Sequence, residues 1–168
     1  ILGLLIKSPK KIKLIGDKSL SKRDFSRITK PLQEFGAKFY YRKKNKLPLS
    51  ILGSNFVNGI NYLEDKGSAQ CKSSVMFAAL NSPGITSIKA KKSRNHTELL
   101  FKYLKIDIKI KKTKKYDFID IKQPKKVPAF NYQIPGDISS AAFFIVLTTL
   151  AENSELLIKN VNINSSRI

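Results

Sequence analysis

The chain has one cysteine, one histidine, one methionine and no tryptophan in 168 residues. With Cys71 alone no internal disulfide can form, and a reducing cytoplasm is the expected compartment. A single His96 beside a single Cys71 cannot assemble a zinc site of the usual nitrogen-and-sulfur kind, so no metal is expected. Acidic residues are scarce as well: 12 Asp and Glu against 32 Lys and Arg leave a net charge of +20. No apolar run reaches the roughly 18 residues that span a bilayer, so no membrane segment is expected. An initiating methionine is missing too. Ile1-Leu2-Gly3-Leu4-Leu5 reads as the tail of a helix already under way, and the chain as an internal piece of a longer protein, not one that opens on a signal peptide.

What remains is ample for folding. The chain is 42% hydrophobic, and its length suits one ordinary domain or two small ones. The excess positive charge points to an anionic partner, whether nucleic acid, a membrane surface or phosphorylated metabolites. Much of the Lys, however, accompanies frequent Ile and Asn, a general compositional drift. Lysines spread evenly over a surface form a solvated coat, not a site.

The most informative stretch is Gly67 to Leu80, GSAQCKSSVMFAAL. Ser68 is placed to cap a helix, since its hydroxyl can accept from N–H groups that the first turn leaves unpaired. From Ser74 the run SVMFAAL reads as a helix buried on most sides, stopped by Asn81-Ser82-Pro83-Gly84. A helix start carrying Ser68, Gln70 and Lys72 favours an anion through its amides, its dipole and its ammonium group. A plain capped core helix explains the same residues without a ligand.

In chain order, Lys11 to Ile15 alternates like a short strand, and Ser19 to Phe35 reads as one helix that Pro31 should kink. Phe25, Ile28, Leu32 and Phe35 share one face of it, and Gly36 ends it. Lys38 to Tyr41 and Leu49 to Leu52 read as strands, then comes the helix already described, then a strand from Thr86 to Ala90. Ser93 and Asn95 compete to cap the next helix, with Glu98 three after Asn95 as in a capping box. Leu99, Leu100, Tyr103 and Leu104 form its expected apolar stripe, and Ile106 to Ile110 pairs with Phe118 to Ile121. Ile134-Pro135-Gly136-Asp137 turns into an almost wholly apolar helix, Ile138 to Leu150. Leu156 to Val161 reads as a last strand, and Asn164-Ser165-Ser166-Arg167 as the start of another helix.

These pieces repeat. Arg23, Arg94 and Arg167 fall at corresponding places roughly 70 to 75 residues apart, a period typical of a repeated supersecondary unit. The order is βαβαββ-like, so the expected class is α/β (α+β) with a small mixed sheet and two helices per unit. The approximate units are 1–66, 67–133 and an incomplete 134–168. They form one domain over 1–160, with 161–168 beginning the next element or a crossover.

Four motifs carry a family resemblance over nearly the whole chain: Gly16-Asp17-Lys18-Ser19-Leu20-Ser21-Lys22-Arg23, Gly67-Ser68-Ala69-Gln70-Cys71-Lys72-Ser73, Ser93-Arg94-Asn95-His96-Thr97-Glu98, and Pro135-Gly136-Asp137-Ile138-Ser139-Ser140-Ala141-Ala142-Phe143. Their order and spacing resemble the 5-enolpyruvylshikimate-3-phosphate synthases, in the bacterial form with Ser-Ala-Gln. The resemblance implies two domains of three βαβαββ units closing over the substrates, of which this chain is most of one. It implies addition of the 5-hydroxyl of shikimate 3-phosphate to C2 of phosphoenolpyruvate, with loss of phosphate and with no metal or organic cofactor. The expected partners are those two small anions, not nucleic acid or membrane, and at full length a monomer is expected.

By the same resemblance, Arg23 and Gln70 would hold phosphoenolpyruvate. Ser68, the Ala69 backbone, Gln70, Ser93 and Arg94 would hold shikimate 3-phosphate. A guanidinium fork suits a carboxylate or phosphate as an ammonium does not. Asp137 matches the family's Pro-Gly-Asp, but a helix cap explains it without chemistry and is the reading preferred here. Lys72 could screen a phosphate or simply face solvent, and Cys71 and His96 are assigned to packing and capping. The chain departs from the family at Asp24, where Pro is usual, at Asn95, where Asp is usual, and at Ser165-Ser166, where Pro-Thr is usual. The family's Gly-Ser-Lys-Ser and Asn-x-Gly-Thr segments, its catalytic Asp and Lys–Glu group and its later arginines have no counterpart here. The piece alone is therefore expected to bind weakly and turn over nothing. Two rival readings are a UDP-N-acetylglucosamine enolpyruvyl transferase, for whose reactive loop cysteine Cys71 has the wrong context, and a basic nucleic-acid-binding module.

Overall fold

The computed structural model describes residues 1–167. Among them the chain runs β1 (Ile12–Leu14), α1 (Ser26–Glu34), β2 (Lys38–Tyr41), β3 (Leu49–Leu52), β4 (Asn61–Glu64), α2 (Ala69–Ala79), β5 (Ile85–Lys91), α3 (His96–Tyr103), β6 (Ile108–Lys112), β7 (Tyr116–Lys122) and α4 (Ile138–Leu150). Single 3₁₀ turns stand at Leu2–Leu5 and Leu20–Lys22. The residues up to Val127 form one unit and those from Pro128 another.

In the first unit, β1, β3 and β2 make an antiparallel sheet in that order, and β4, β5, β7 and β6 make a second. In the second sheet β4 lies parallel to β5, and the other neighbours are antiparallel. The inward faces follow the alternation of the sequence. Leu49 and Ile51 on β3 are buried, as are Ile88 and Ala90 on β5 and Ile119 and Ile121 on β7. All but Leu49 belong to one continuous core, which α2 fills with Val75, Met76, Ala78 and Ala79. Helix α2 is buried on most sides, as its composition predicts. At Gly3 the N-terminal turn comes so close to it that a Cβ would lie 2.0 Å from the Ser74 carbonyl oxygen.

Several elements differ from the sequence reading. The segment Ser19–Phe35 is not one kinked helix. It breaks at Arg23, which is extended at φ −72 and ψ 151, and restarts at Ser26. The break falls there because Asp17 Oδ1 accepts from the Leu20 N–H and Asp24 Oδ1 from the Ser26 N–H, both at 2.6 Å. Each carboxylate satisfies a helix-start donor locally. Pro31 lies buried within α1. Strand β4 has no counterpart in the sequence reading; its Ile60-Asn61-Tyr62-Leu63-Glu64 alternation was the available signal.

Glu98 makes no capping box with Asn95, which caps α3 without a side-chain cap bond. It is buried against Lys72 instead. That turns α3 so that Phe101 and Leu104 face the core while Leu99 and Tyr103 are exposed. In the second unit Leu156 to Val161 forms no strand; its one sheet-like contact is a bridge from Val161 to Gly136. Residues Ser165–Arg167 make only a turn. Helix α4 has a single buried residue, Ala141, with Phe143, Phe144 and Leu147 among those exposed. A helix that is apolar all round needs cover on every side, which its own short unit cannot provide.

Candidate active-site cleft

Helix α2 begins at Ser68, whose Oγ accepts from the Cys71 N–H at 3.3 Å. Helix α3 begins at Asn95, and the loop before α1 carries Arg23. Between these three starts lies an open cleft of about 540 Å³. Its apolar wall includes Leu2, Phe25, Ile28 and Phe77, and its polar wall Arg23, Asp24, Arg27, Gln70, Ser73, Arg94, His96 and Thr97. Phe77 is held in place by an edge-on contact with Phe101, 5.7 Å between ring centroids. An apolar recess with a few convergent polar groups is the usual form of a small-molecule site.

Of the residues proposed from sequence, Arg23, Ala69, Gln70 and Arg94 line this one cleft. They come from three separate motifs. Ser68 and Ser93 do not line it. The Ser68 hydroxyl is engaged in its cap, and Ser93 Oγ is buried with no hydrogen-bond partner. Asp137 lies in the second unit, where it caps α4 by accepting from the Ser139 N–H at 3.1 Å and stands 3.9 Å from Arg167. His96 is not a packing residue: it is exposed and faces the cleft. Cys71 is buried. Lys72 is neither a surface charge nor a cleft residue. Its side chain is wholly buried, with Nζ 2.5 Å from Glu98 Oε1.

Arg27 was missed. It lines the cleft and donates from Nη2 to Gln70 Oε1 at 3.5 Å. Arg27 stands four residues after Arg23, a spacing that would put both on one face of a continuous helix as well, so that spacing was the signal available in the sequence.

The electrostatics are one-sided. Three guanidiniums face the cleft together with the N-terminal end of α2, where backbone N–H groups and dipole also favour an anion. The one carboxylate on the wall, Asp24, is held below its ordinary pKa of 3.8, first by hydrogen bonds from Ser26 and then by Lys30 and Lys46. Its charge is therefore spent mainly on the start of α1. Among the described residues no group of three or more His, Cys, Asp or Glu could hold a metal ion.

The family model for EPSP synthase (3-phosphoshikimate 1-carboxyvinyltransferase) matches residues 1–168. The chain belongs to the EPSP synthase family. It is 40% identical over 168 residues to the 3-phosphoshikimate 1-carboxyvinyltransferase of Lactococcus lactis subsp. lactis, a match covering 98% of this chain and 38% of that protein. To the protein of the same name from Thermotoga sp. (strain RQ2) it is 39% identical over 155 residues, covering 92% of this chain and 35% of that one. The structure of EPSP synthase from Acinetobacter baumannii superposes with a TM-score of 0.77 at 34% identity, over 97% of this chain and 36% of that one. The mixed α/β fold is thus that of the family. The chain spans little more than a third of the length of these relatives. Neither the UDP-N-acetylglucosamine transferase nor the nucleic-acid module is favoured beside this membership. No helix among the described residues is long and apolar enough to cross a membrane.

Proposed function

We propose that the cleft is the anion-binding part of an EPSP synthase site. On this reading Arg23 and Gln70 take phosphoenolpyruvate, and Gln70, the Ala69 amide and Arg94 take shikimate 3-phosphate. The observation that carries the reading is the convergence of Arg23, Gln70 and Arg94 on one cleft. Arg27 joins them. By donating to Gln70 Oε1 it leaves the carboxamide NH₂ to donate toward a ligand oxygen. Ser68 acts through the shape of the α2 start. Ser93, whose buried hydroxyl is unpaired, needs a small shift to reach a phosphate.

In the reaction this region binds, orients and neutralises. Both substrates are polyanions, and fixed guanidiniums and amides in a recess hold them together and stabilise charge that develops between them. The transferred group passes from phosphoenolpyruvate to the 5-hydroxyl, and phosphate leaves. The later arginines and the catalytic Asp and Lys–Glu group that the family resemblance implies have no counterpart in these residues, so on this reading the 168 residues alone bind weakly and do not turn over. We assign the chain to one domain of such units, cytoplasmic and, at full length, monomeric.

The test is a titration of the purified chain with each substrate, followed by backbone amide shifts. Shifts should map to residues 69–73 and 94–97. Replacing Arg23 with Gln should weaken phosphoenolpyruvate, and Arg94 with Gln should weaken shikimate 3-phosphate, each by about ten- to a hundredfold, the worth of one charge-assisted hydrogen bond of about 1.5–3 kcal/mol. Shifts spread over the lysine-rich β6–β7 turn, collapsing as salt rises, would overturn the assignment.

A further inference from the structure

Two consecutive residues of α2 are joined to two consecutive residues of α3. Lys72 Nζ stands 2.5 Å from Glu98 Oε1, with side chains 0% and 5% exposed. One residue along, Ser73 Oγ and Thr97 Oγ1 are hydrogen-bonded at 2.7 Å. The hydroxyl pair forms part of the cleft wall, and the ion pair does not line it.

We propose that Lys72 and Glu98 are positioning residues, forming with Ser73 and Thr97 a latch that sets the spacing of Gln70 and Arg94 across the cleft. This rests on the assignment of those two residues to shikimate 3-phosphate. Gln70 is two residues from Lys72 on α2, and Arg94 four residues from Glu98 at the entrance to α3. The two helices follow the paired strands β4 and β5, each after a four-residue loop, so the sheet fixes where the loops begin and the latch sets what the loops leave adjustable. An ion pair is a costly way to fill a core, because both charges lose their water and an apolar pair of the same volume often serves folding as well. What an apolar pair lacks is the strong preference of two opposite charges for one close separation, all the more when neither has water to fall back on. Glu98 sits where a capping box would place it, yet it reaches across to Lys72. The side chain that could have served its own helix serves the junction.

A ligand that bridges α2 and α3 feels that spacing. One held by Arg23 and Gln70 does not depend on α3. The latch therefore acts on shikimate 3-phosphate and not on phosphoenolpyruvate, whereas loss of general stability would weaken both.

The test uses the whole 168-residue chain and amide-shift titrations with each substrate. In the double variant Lys72→Met/Glu98→Leu, a melting temperature near that of the parent should accompany at least a tenfold loss for shikimate 3-phosphate and less than a twofold change for phosphoenolpyruvate. Unchanged shikimate 3-phosphate affinity, or equal loss for both ligands, overturns the latch. Should that variant fail to fold, Glu98→Asp decides. It keeps the charge and shortens the reach by one methylene, and should cost shikimate 3-phosphate at least threefold; no change overturns the proposal. Arg94→Gln runs alongside. If Arg94→Gln weakens shikimate 3-phosphate and the latch variants do not, only the latch falls. If the parent chain binds neither ligand, the assignment of the cleft falls and the latch with it.

Discussion

Lys105 follows the last turn of α3 at φ +54, in the left-handed region that favours glycine. Around it Ile106 N–H donates to the Phe101 carbonyl at 2.9 Å and Lys105 N–H to that of Lys102 at 3.0 Å. This is the Schellman ending of a helix, with a lysine where glycine is usual. A side chain in that conformation costs about 1–2 kcal/mol, and glycine gives some of that back to the flexibility of the unfolded chain. Lys105→Gly should therefore raise unfolding stability by about 1 kcal/mol, read from the urea midpoint. Asp24 is a second single-residue case. Its carboxyl is held below 3.8 in the folded chain, chiefly by Ser26. A depressed pKa stabilises the fold above the unfolded-state value and loses that contribution as pH falls through the folded one. Melting temperatures should show Asp24→Asn less stable than the parent at pH 7, with the gap closing as pH falls below the ordinary carboxylate range.

At the scale of elements, the ending of α3 has a counterpart. Helix α1 closes with Gly36 at φ +100, and there Gly36 N–H donates to Gln33 and Ala37 N–H to Leu32. After each helix come two strands, and the strand before it pairs antiparallel with the second of them: β1 with β3, and β5 with β7. The repeat signalled by Arg23 and Arg94 is thus a repeat of topology. Among the described residues only the second copy has its leading strand and helix, β4 and α2, within the order βαβαββ. Most of this was legible because alternation and caps are local: Lys38–Tyr41 and Leu49–Leu52 agree to the residue. What was not legible depended on partners. Strand β4 is four residues long and acquires its identity from pairing with β5. Glu98 followed a distant lysine instead of a neighbouring amide. For the cleft, Arg23, Gln70 and Arg94 were legible as motif residues; Arg27 was signalled only by standing four residues after Arg23, on the same face of a helix, and lies in no motif.

Over the whole molecule two opposed quantities meet. The chain carries a net charge of +20, and α4 presents Phe143 at 79%, Leu147 at 65% and Leu150 at 79% exposure. Exposed apolar faces of this kind promote association. Like charge at that density opposes it, with a reach of about 30 Å at 0.01 M salt but only about 3 Å at 1 M. The two effects respond to salt in opposite ways, because screening removes the repulsion and leaves the apolar attraction in place. The 168-residue chain should therefore sediment as a monomer at low ionic strength and associate as salt rises, with increasing fluorescence quenching of a bound apolar-surface dye. Phe143→Glu/Leu147→Glu should keep it monomeric at both extremes. If the parent instead dissociates on adding salt, its association is electrostatic, and α4 is not the surface responsible.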